Sequence, residues 1–600
     1  MNNSDDHDDE KHQRKLNYNI EPKVSLNPIS VTKVGKTIAS KTYPNTMDGF
    51  WFAIDSNVII NPFDFVTVDN IYNSRTIGIV KDLQAVVPNS DDDEARKYLS
   101  SQHSLTGEQE YQKQQQVSKD YQNSMILAKA AVMANTGCKV EGRKEVISIN
   151  LPVGIDKSVK FATAEEIIFA LGIPEMQNPI PAGIIETTNG LQIPISLDVS
   201  YLAGPDTAHV NASGISGNQK TSYLLFLLQS AYQMLQKKES VSLVIFNTKE
   251  QDLLYIDKKE KNIKKRTEKL FDVLDLDIEP FDNVTYFLPR GKDGRPNSMH
   301  IPKNSKTYSY ELQDVYDRLE LLFSETYDLH YNLSSIIDYI YQSWPLTNNS
   351  LGKIIRTWTD LAEFNEYPES ILSYKSSLLH FLGQLQRFRK SSMFINKKVT
   401  SKYLGKEIME IKAGEVFVID VATISSVEEQ AFVVGDVMKS IDEMYSARHY
   451  FEDSINNNNN NNKKKKKNNN DHTKKKQKPK YILVFIDEIN RFIPKSHVGR
   501  INAVAEQIMR TVIAGRSRET IIFSAQQFKS ATDYRLQENI GLHITAKLGL
   551  SELATRPYSM LDEITKMNIA RLNKGELVMI HPAFRHPVKI AFPKASFKKP

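Results

Sequence analysis

A chain of 600 residues exceeds what one hydrophobic core usually serves, so two or more domains are expected. Its 40% hydrophobic and 25% charged residues are ordinary for a globular protein, and its single cysteine, Cys138, excludes an intrachain disulfide and a cysteine-built metal cage. The net charge of +5 says little about nucleic-acid binding, because residues 463–480 alone hold ten lysines against one aspartate and leave about −4 for the rest.

Residues 1–29 are polar, charged and asparagine-rich, and are predicted to form a disordered acidic tail. They do not have the layout of a secretory leader, and no apolar run reaches the ~18–20 residues that span a bilayer, so a cytoplasmic protein without a membrane anchor is expected. Short strand-like runs follow in WFAIDSNVII, DFVTVDN and RTIGIVKDLQAVV, and resume at CKVEGRKEVISINLPV. They predict a small β-barrel over 30–178, interrupted by a polar insertion at 89–123.

From 179 the pattern turns to alternating strands and helices, which predicts an α/β core. HVNAS reads as a short strand, TSYLLFLLQSAYQMLQKK as a helix and SVSLVIFN as a strand buried on both faces of a parallel sheet. The first part of the core is expected over 179–304. Residues 305–395 read as an inserted helical subdomain, with Leu312, Val315, Leu319 and Leu322 on one helical face. The second part, 396–600, holds the strand GEVFVIDV, a helix to about 449, and a low-complexity Asn/Lys stretch at 456–480. That stretch is a solvated spacer or a lysine arm that touches phosphates. YILVFIDE then resumes as a buried strand.

Three segments carry chemistry. Gly214-Ile215-Ser216-Gly217-Asn218-Gln219-Lys220-Thr221 lies between a strand and a helix. Glycines there let backbone N–H groups converge on phosphate oxygens, Lys220 reaches the terminal phosphates, and the Thr221 hydroxyl can hold Mg2+. The usual pattern has glycine where Gln219 stands, and a left-handed backbone at that position would add ~1–2 kcal/mol of strain. An ordinary Gly/Ser turn is the plain alternative. In the second segment, Tyr481 to Ile486 deliver Asp487 and Glu488 at a strand's C-terminal end, where ligands of open α/β sheets bind. Asp487 suits Mg2+ and Glu488 suits a general base toward water. In the third, TIIFSAQQ ends in the amides Gln526 and Gln527; a glutamine there, Gln526, is placed to sense a terminal phosphate, or is merely a polar strand end. Before it, Arg516 and Arg518 are candidates for an arginine supplied to a neighbouring subunit, as is Arg510; a surface basic cluster is the alternative.

In this order and spacing the segments resemble the HerA branch of the HerA/FtsK ATPases. The resemblance covers most of 45–175, 180–300 and 410–600, through DFVTVDN…RTIGIVKDL, HVNASGISGNQKTS, SLVIFNTKEQDLLYID, FIDEINRFIP, GRSRETIIFSAQQ and LNKGELVMIHPAFRHPVKIAFP. It implies a RecA-like ATPase core behind an N-terminal barrel, with ATP and Mg2+ as cofactors. It implies that the loop from Gly214 to Ser222 cradles nucleotide, with Thr221 and Asp487 on the metal, Glu488 as base, Gln526 as sensor and Arg516 as finger. It further implies a homohexameric ring around double-stranded DNA, with a nuclease or antiviral effector as partner. The function expected is DNA translocation; the alternative is a nucleotide-binding scaffold that assembles an effector without moving along DNA.

Overall fold

The computed structural model describes residues 33–598 except 87–124, 140–145, 148, 205–207, 239, 327, 329, 398, 462–477 and 496–501. The predicted acidic tail and polar insertion, and most of the Asn/Lys stretch, lie outside the described residues.

Strands β1 (Lys33–Ile38), β2 (Gly49–Ile54), β3 (Phe65–Asp69), β4 (Arg75–Val86), β5 (Met125–Asn135) and β6 (Ser158–Phe161) close into a barrel in the order β1-β2-β5-β4-β3-β6. Phe50, Phe52, Val66, Val80, Ala130 and Val159 fill its interior. Closure leaves no unpaired sheet edge. A hairpin of β7 (Pro179–Glu186) and β8 (Gln192–Asp198) follows.

The rest is built on one sheet of ten strands. In chain order these are β9 (Val210–Ser213), β10 (Val241–Asn247), β11 (Val284–Pro289), β12 (Ser305–Tyr308), β13 (Val416–Asp420), β14 (Tyr481–Ile486), β15 (Thr520–Gln526), β16 (Leu542–Thr545), β17 (Leu577–Ile580) and β18 (Val588–Ile590). Their order across the sheet is β12-β11-β13-β10-β14-β15-β9-β16-β17-β18. All neighbours from β12 to β16 are parallel, and β17 and β18 are antiparallel additions. Every residue of β10, β14 and β15 is buried, as continuous apolar strands in a parallel sheet require.

The side-chain period of two divides these strands between two cores. Leu243, Ile245, Leu483, Phe485, Ile521 and Phe523 face one core, shared with the helix α1 (Lys220–Lys238). Val244, Phe246, Ile482, Val484, Ile486 and Ile522 face the other, shared with α2 (Val427–Asn461) and α3 (Ala503–Arg518). Helix α1 buries Tyr223 through Leu228 on all sides because β7 covers its outer face. Tyr223 Oη donates to Ala182 O at 2.9 Å and Ser230 Oγ to Pro181 O at 2.6 Å.

Three differences from the sequence expectation stand out. The 305–395 segment opens on β12, an edge strand of the main sheet, and its neck is closed by Tyr310–Glu311 pairing with Phe394–Ile395. A four-residue edge strand has too little alternation to be seen in sequence. Leu312, Val315, Leu319 and Leu322 are all buried, but on a short α-turn, Leu312–Val315, and a following 3-10 helix, Tyr316–Phe323. The break accommodates Arg318, whose φ is −132° and whose Nη1 donates to Asp436 Oδ1 and Ser440 Oγ, both at 2.8 Å. Helix α2 also runs beyond the expected 449 into the asparagine tract.

Asp436 is fully buried, and Arg318 ties the inserted segment to α2 through it. Arg318→Met strands a buried carboxylate and is expected to cost ~3–5 kcal/mol, whereas Arg318→Met with Asp436→Leu recovers most of the loss. Chemical denaturation checks this, and equal destabilisation by the single and paired changes contradicts it.

Candidate active site

The loop after β9 is shaped by three residues with positive φ: Gly214 at 152°, Gly217 at 81° and Gln219 at 63°. A side chain at Gly214 is excluded, since a Cβ there would meet Ala546 Cβ at 2.6 Å. Gly217 is open around its Cα, so its requirement is conformational. Gln219 takes the left-handed backbone without being glycine. Loop residues Ile215, Ser216 and Gly217 are exposed, and Asn218 Nδ2 donates to Ile215 O at 3.3 Å across the loop. The loop is moored by Gly214 N–H to Gln527 O at 3.3 Å and Ile215 N–H to Lys547 O at 3.1 Å. Lys220, Thr221 and Ser222 then open α1, where the helix dipole favours an anion.

The acidic pair comes from β14. Strand β15, bearing Gln526, separates it from β9, so loop and carboxylates face each other across one intervening strand end. Asp487 and Glu488 are only 5% and 6% exposed. Glu488 has φ 56°, a left-handed conformation at a functional position, and its N–H donates to Asp487 Oδ1 at 3.1 Å. Thr221 Oγ1 lies 3.5 and 3.4 Å from the two oxygens of Asp487.

Lys249 completes the group. Its Nζ donates to Asp487 Oδ2 and Glu488 Oε1, each at 2.9 Å. Strands β10 and β14 run parallel with Phe246 opposite Ile486, so the residues just past each strand end meet. Burial pushes the Glu488 carboxyl up, but Lys249, Gln527 and Lys220 outweigh it and hold the group below the ordinary glutamate range. Burial draws the Lys220 ammonium below the ordinary lysine value, against the attraction of Asp487 and Glu488, and Lys249 adds repulsion. Burial also works against the Lys249 ammonium, yet Asp487 and Glu488 raise it.

Lys220, Thr221, Asp487 and Glu488 are therefore brought together. Gln526 is fully buried, its Nε2 donates to Asn211 Oδ1 at 3.3 Å, and its Oε1 has no partner among the described residues. The glutamine that lies near enough to Glu488 to lower its carboxyl is its neighbour Gln527. Arg516 lies within α3, but its side chain is outside the described residues. Lys249 and Gln527 were missed in sequence. The available signal for Lys249 was its place two residues beyond a strand end that a parallel sheet sets beside the acidic one.

Among the described residues there is no group of three or more His, Cys, Asp or Glu that could hold a metal. One carboxylate and one hydroxyl do suit a cation such as Mg2+, which keeps several waters and takes its other oxygens from phosphates.

No protein-family model matches the chain, and no curated protein matches it. Among solved structures it is similar to the bacterial conjugative coupling protein TrwBdeltaN70 in its unbound monoclinic form, at 11% identity over 70% of this chain and 91% of that one, with a TM-score of 0.39. It is similar to plasmid coupling protein TrwB in complex with ADP and Mg2+, at 12% identity over 65% of this chain and 86% of that one, with a TM-score of 0.35. The genome packaging NTPase B204 from Sulfolobus turreted icosahedral virus 2, in complex with AMPPCP, is matched at 10% identity over 32% of this chain and 72% of that one, with a TM-score of 0.22. At such scores the likeness carries no inference about function, which rests on the site itself.

Lys249→Met removes the cation shared by two buried carboxylates. Affinity for Mn2+ alone, followed by electron paramagnetic resonance, is expected to rise roughly tenfold; unchanged affinity contradicts the bridge. Gln219→Gly relieves ~1–2 kcal/mol of backbone strain, of which glycine's freedom in the unfolded chain takes back ~0.4–1 kcal/mol. The thermal midpoint should rise slightly, and a fall would show that the Gln219 side chain matters more than its backbone.

Proposed function

We propose that this chain is an ATP-hydrolysing motor with a RecA-like core, of the HerA/FtsK type, that moves along double-stranded DNA. The observation that carries the reading is the convergence of Lys220, Thr221, Asp487 and Glu488 at the C-terminal ends of parallel strands. The nucleotide's phosphates lie on the loop from Gly214 to Ser222, against the start of α1. Lys220, short of compensating charge where it is buried, takes a phosphate oxygen. Thr221 and Asp487 would hold Mg2+, which would supply neutralising positive charge for the phosphates. Glu488, kept ionised by its cationic neighbours, accepts a proton from the attacking water, and Gln527 orients its carboxylate. Lys249 bridges both carboxylates and must yield Asp487 to the metal.

In this reading the transition-state charge is met by an arginine from the next subunit of a homohexameric ring, with Arg516 the first candidate. Six chains then grip DNA phosphates without reading sequence, and a nuclease or defence effector docks on the ring. No described helix is long and apolar enough to cross a membrane, and a cytoplasmic location belongs to the proposal. One observation favours a second reading. Gln219 holds a strained backbone next to Lys220, which suits a nucleotide-binding scaffold that assembles an effector without turnover.

Steady-state ATP hydrolysis with and without linear duplex DNA separates the two. The motor shows turnover stimulated by DNA, abolished in Lys220→Ala, and reduced by roughly 10²–10⁴-fold in Glu488→Gln, which still binds ATP. ATP binding that depends on Lys220 without turnover supports the scaffold, and a rate indifferent to DNA at low salt contradicts the motor.

A further inference from the structure

A cleft of about 1040 Å³ lies beyond β15, walled by the segments 529–543, 555–560 and 580–582. At its inner wall is Lys529, only 2% exposed. Its Nζ hydrogen-bonds with His543 Nδ1 at 3.0 Å and lies 5.2 Å from the centre of the Tyr558 ring. Among the described residues no carboxylate is hydrogen-bonded to it. Glu552 is near enough to attract it, but both Glu552 oxygens are taken by Ser530. The carboxylates lining the cleft are also engaged: Asp533 accepts from Arg535 at 2.9 and 3.0 Å, and Glu538 from Arg556 at 3.4 Å. Lys495 adds a further cation to the lining.

His581 lines the same cleft and is 3% exposed. Its Nδ1 accepts from Ala583 N–H at 3.1 Å, which puts the ring hydrogen on Nε2, and that N–H has no partner among the described residues. A buried amine with no carboxylate hydrogen-bonded to it and a buried donor without an acceptor each cost free energy, and both are relieved by one kind of ligand.

We propose that this cleft is a second anion site, which takes a phosphate group with Lys529 Nζ and His581 Nε2–H as donors. The site is joined to the candidate ATP site by two short paths. Tyr558 Oη donates to Ser213 Oγ at 3.0 Å, and Ser213 directly precedes the phosphate loop. Lys529 stands two residues beyond Gln527, the partner of Glu488. A phosphate held in the cleft therefore bears on both the loop and the base. Only the choice of DNA as the source of that phosphate rests on the proposed motor; free phosphate is the other source.

Burial brings the Lys529 amine down to about 7, with Glu552 opposing, and holds His543 and His581 neutral. A bound anion raises the amine again. For a ligand of constant charge such as the DNA backbone, affinity is therefore full below pH 7 and falls about tenfold per pH unit above it, until the amine of the occupied cleft titrates.

The test is carried out on full-length Lys220→Ala protein, so that the ATP loop cannot account for the result. The rate of Lys529 acetylation by acetic anhydride at pH 7.5 is read by peptide mass spectrometry, alone, with millimolar inorganic phosphate, and with micromolar linear duplex DNA. Protection of at least fivefold by either supports the site; protection by DNA alone assigns the source to the DNA backbone, and protection by phosphate alone to the free ion. In parallel, Lys529→Met should weaken the effective ligand at pH 6.5 by at least fivefold. No protection by either ligand, or an affinity unchanged in Lys529→Met, overturns the proposal, and neither result bears on whether the chain hydrolyses ATP.

Discussion

Two carboxylates sit side by side at the buried end of β14, and holding both there away from water is the constraint around which the site is arranged. Asp487 and Glu488 are almost wholly removed from water, where buried carboxylates need cationic partners. Lys249 is such a partner directly and Lys220 from further off. Each of these four side chains stands at or just past the end of a fully buried strand, or at the start of the helix that follows one. The two cores on either face of the sheet fix those strand ends against one another. A shift of one residue in the register of β10 against β14 would turn Lys249 away from the pair.

In the proposed function a divalent metal would compete with Lys249 for Asp487, whereas Glu488 would keep a cationic neighbour in either case. That difference would separate the roles of two adjacent carboxylates, one for metal and one for water. The barrel is connected to the same sheet at its far side. Lys81 Nζ of β4 donates to Thr565 Oγ1 at 3.1 Å, and Asn568 Nδ2 donates to Lys81 O at 2.9 Å. Contacts of this kind link the N-terminal barrel to the segment that leads into β17 and β18.

The parts of this structure that were legible in the sequence are those written in local pattern. The loop from Gly214 to Thr221 is a contiguous run between a strand and a helix, and YILVFIDE announces both its burial and its acidic end. The left-handed backbone at Gln219 followed from its place in that run. Lys249 was not legible, because its significance depends on which strand lies beside which, and sheet order is not a local property. The glutamine pair shows the limit at its finest. Gln526 and Gln527 are chemically identical neighbours, yet one is the last residue of β15 and is buried against Asn211, while the next contacts Glu488. Only the alternation of side chains at a known strand end distinguishes them. The opening of the 305–395 segment was not legible for a related reason: β12 is too short to show a period, and its identity as a strand comes from the edge it joins.

The claim most open to direct test is that Lys220, Thr221 and Asp487 hold a metal-bound nucleotide beside Glu488. Titration calorimetry of ATP into the full chain, with and without Mg2+, is the measurement to make, beside Lys220→Ala and Asp487→Asn. The account predicts binding that Lys220→Ala abolishes, that Mg2+ strengthens in the parent protein, and that no longer responds to Mg2+ in Asp487→Asn. Binding indifferent to Lys220, or a Mg2+ response that persists without Asp487, would contradict it.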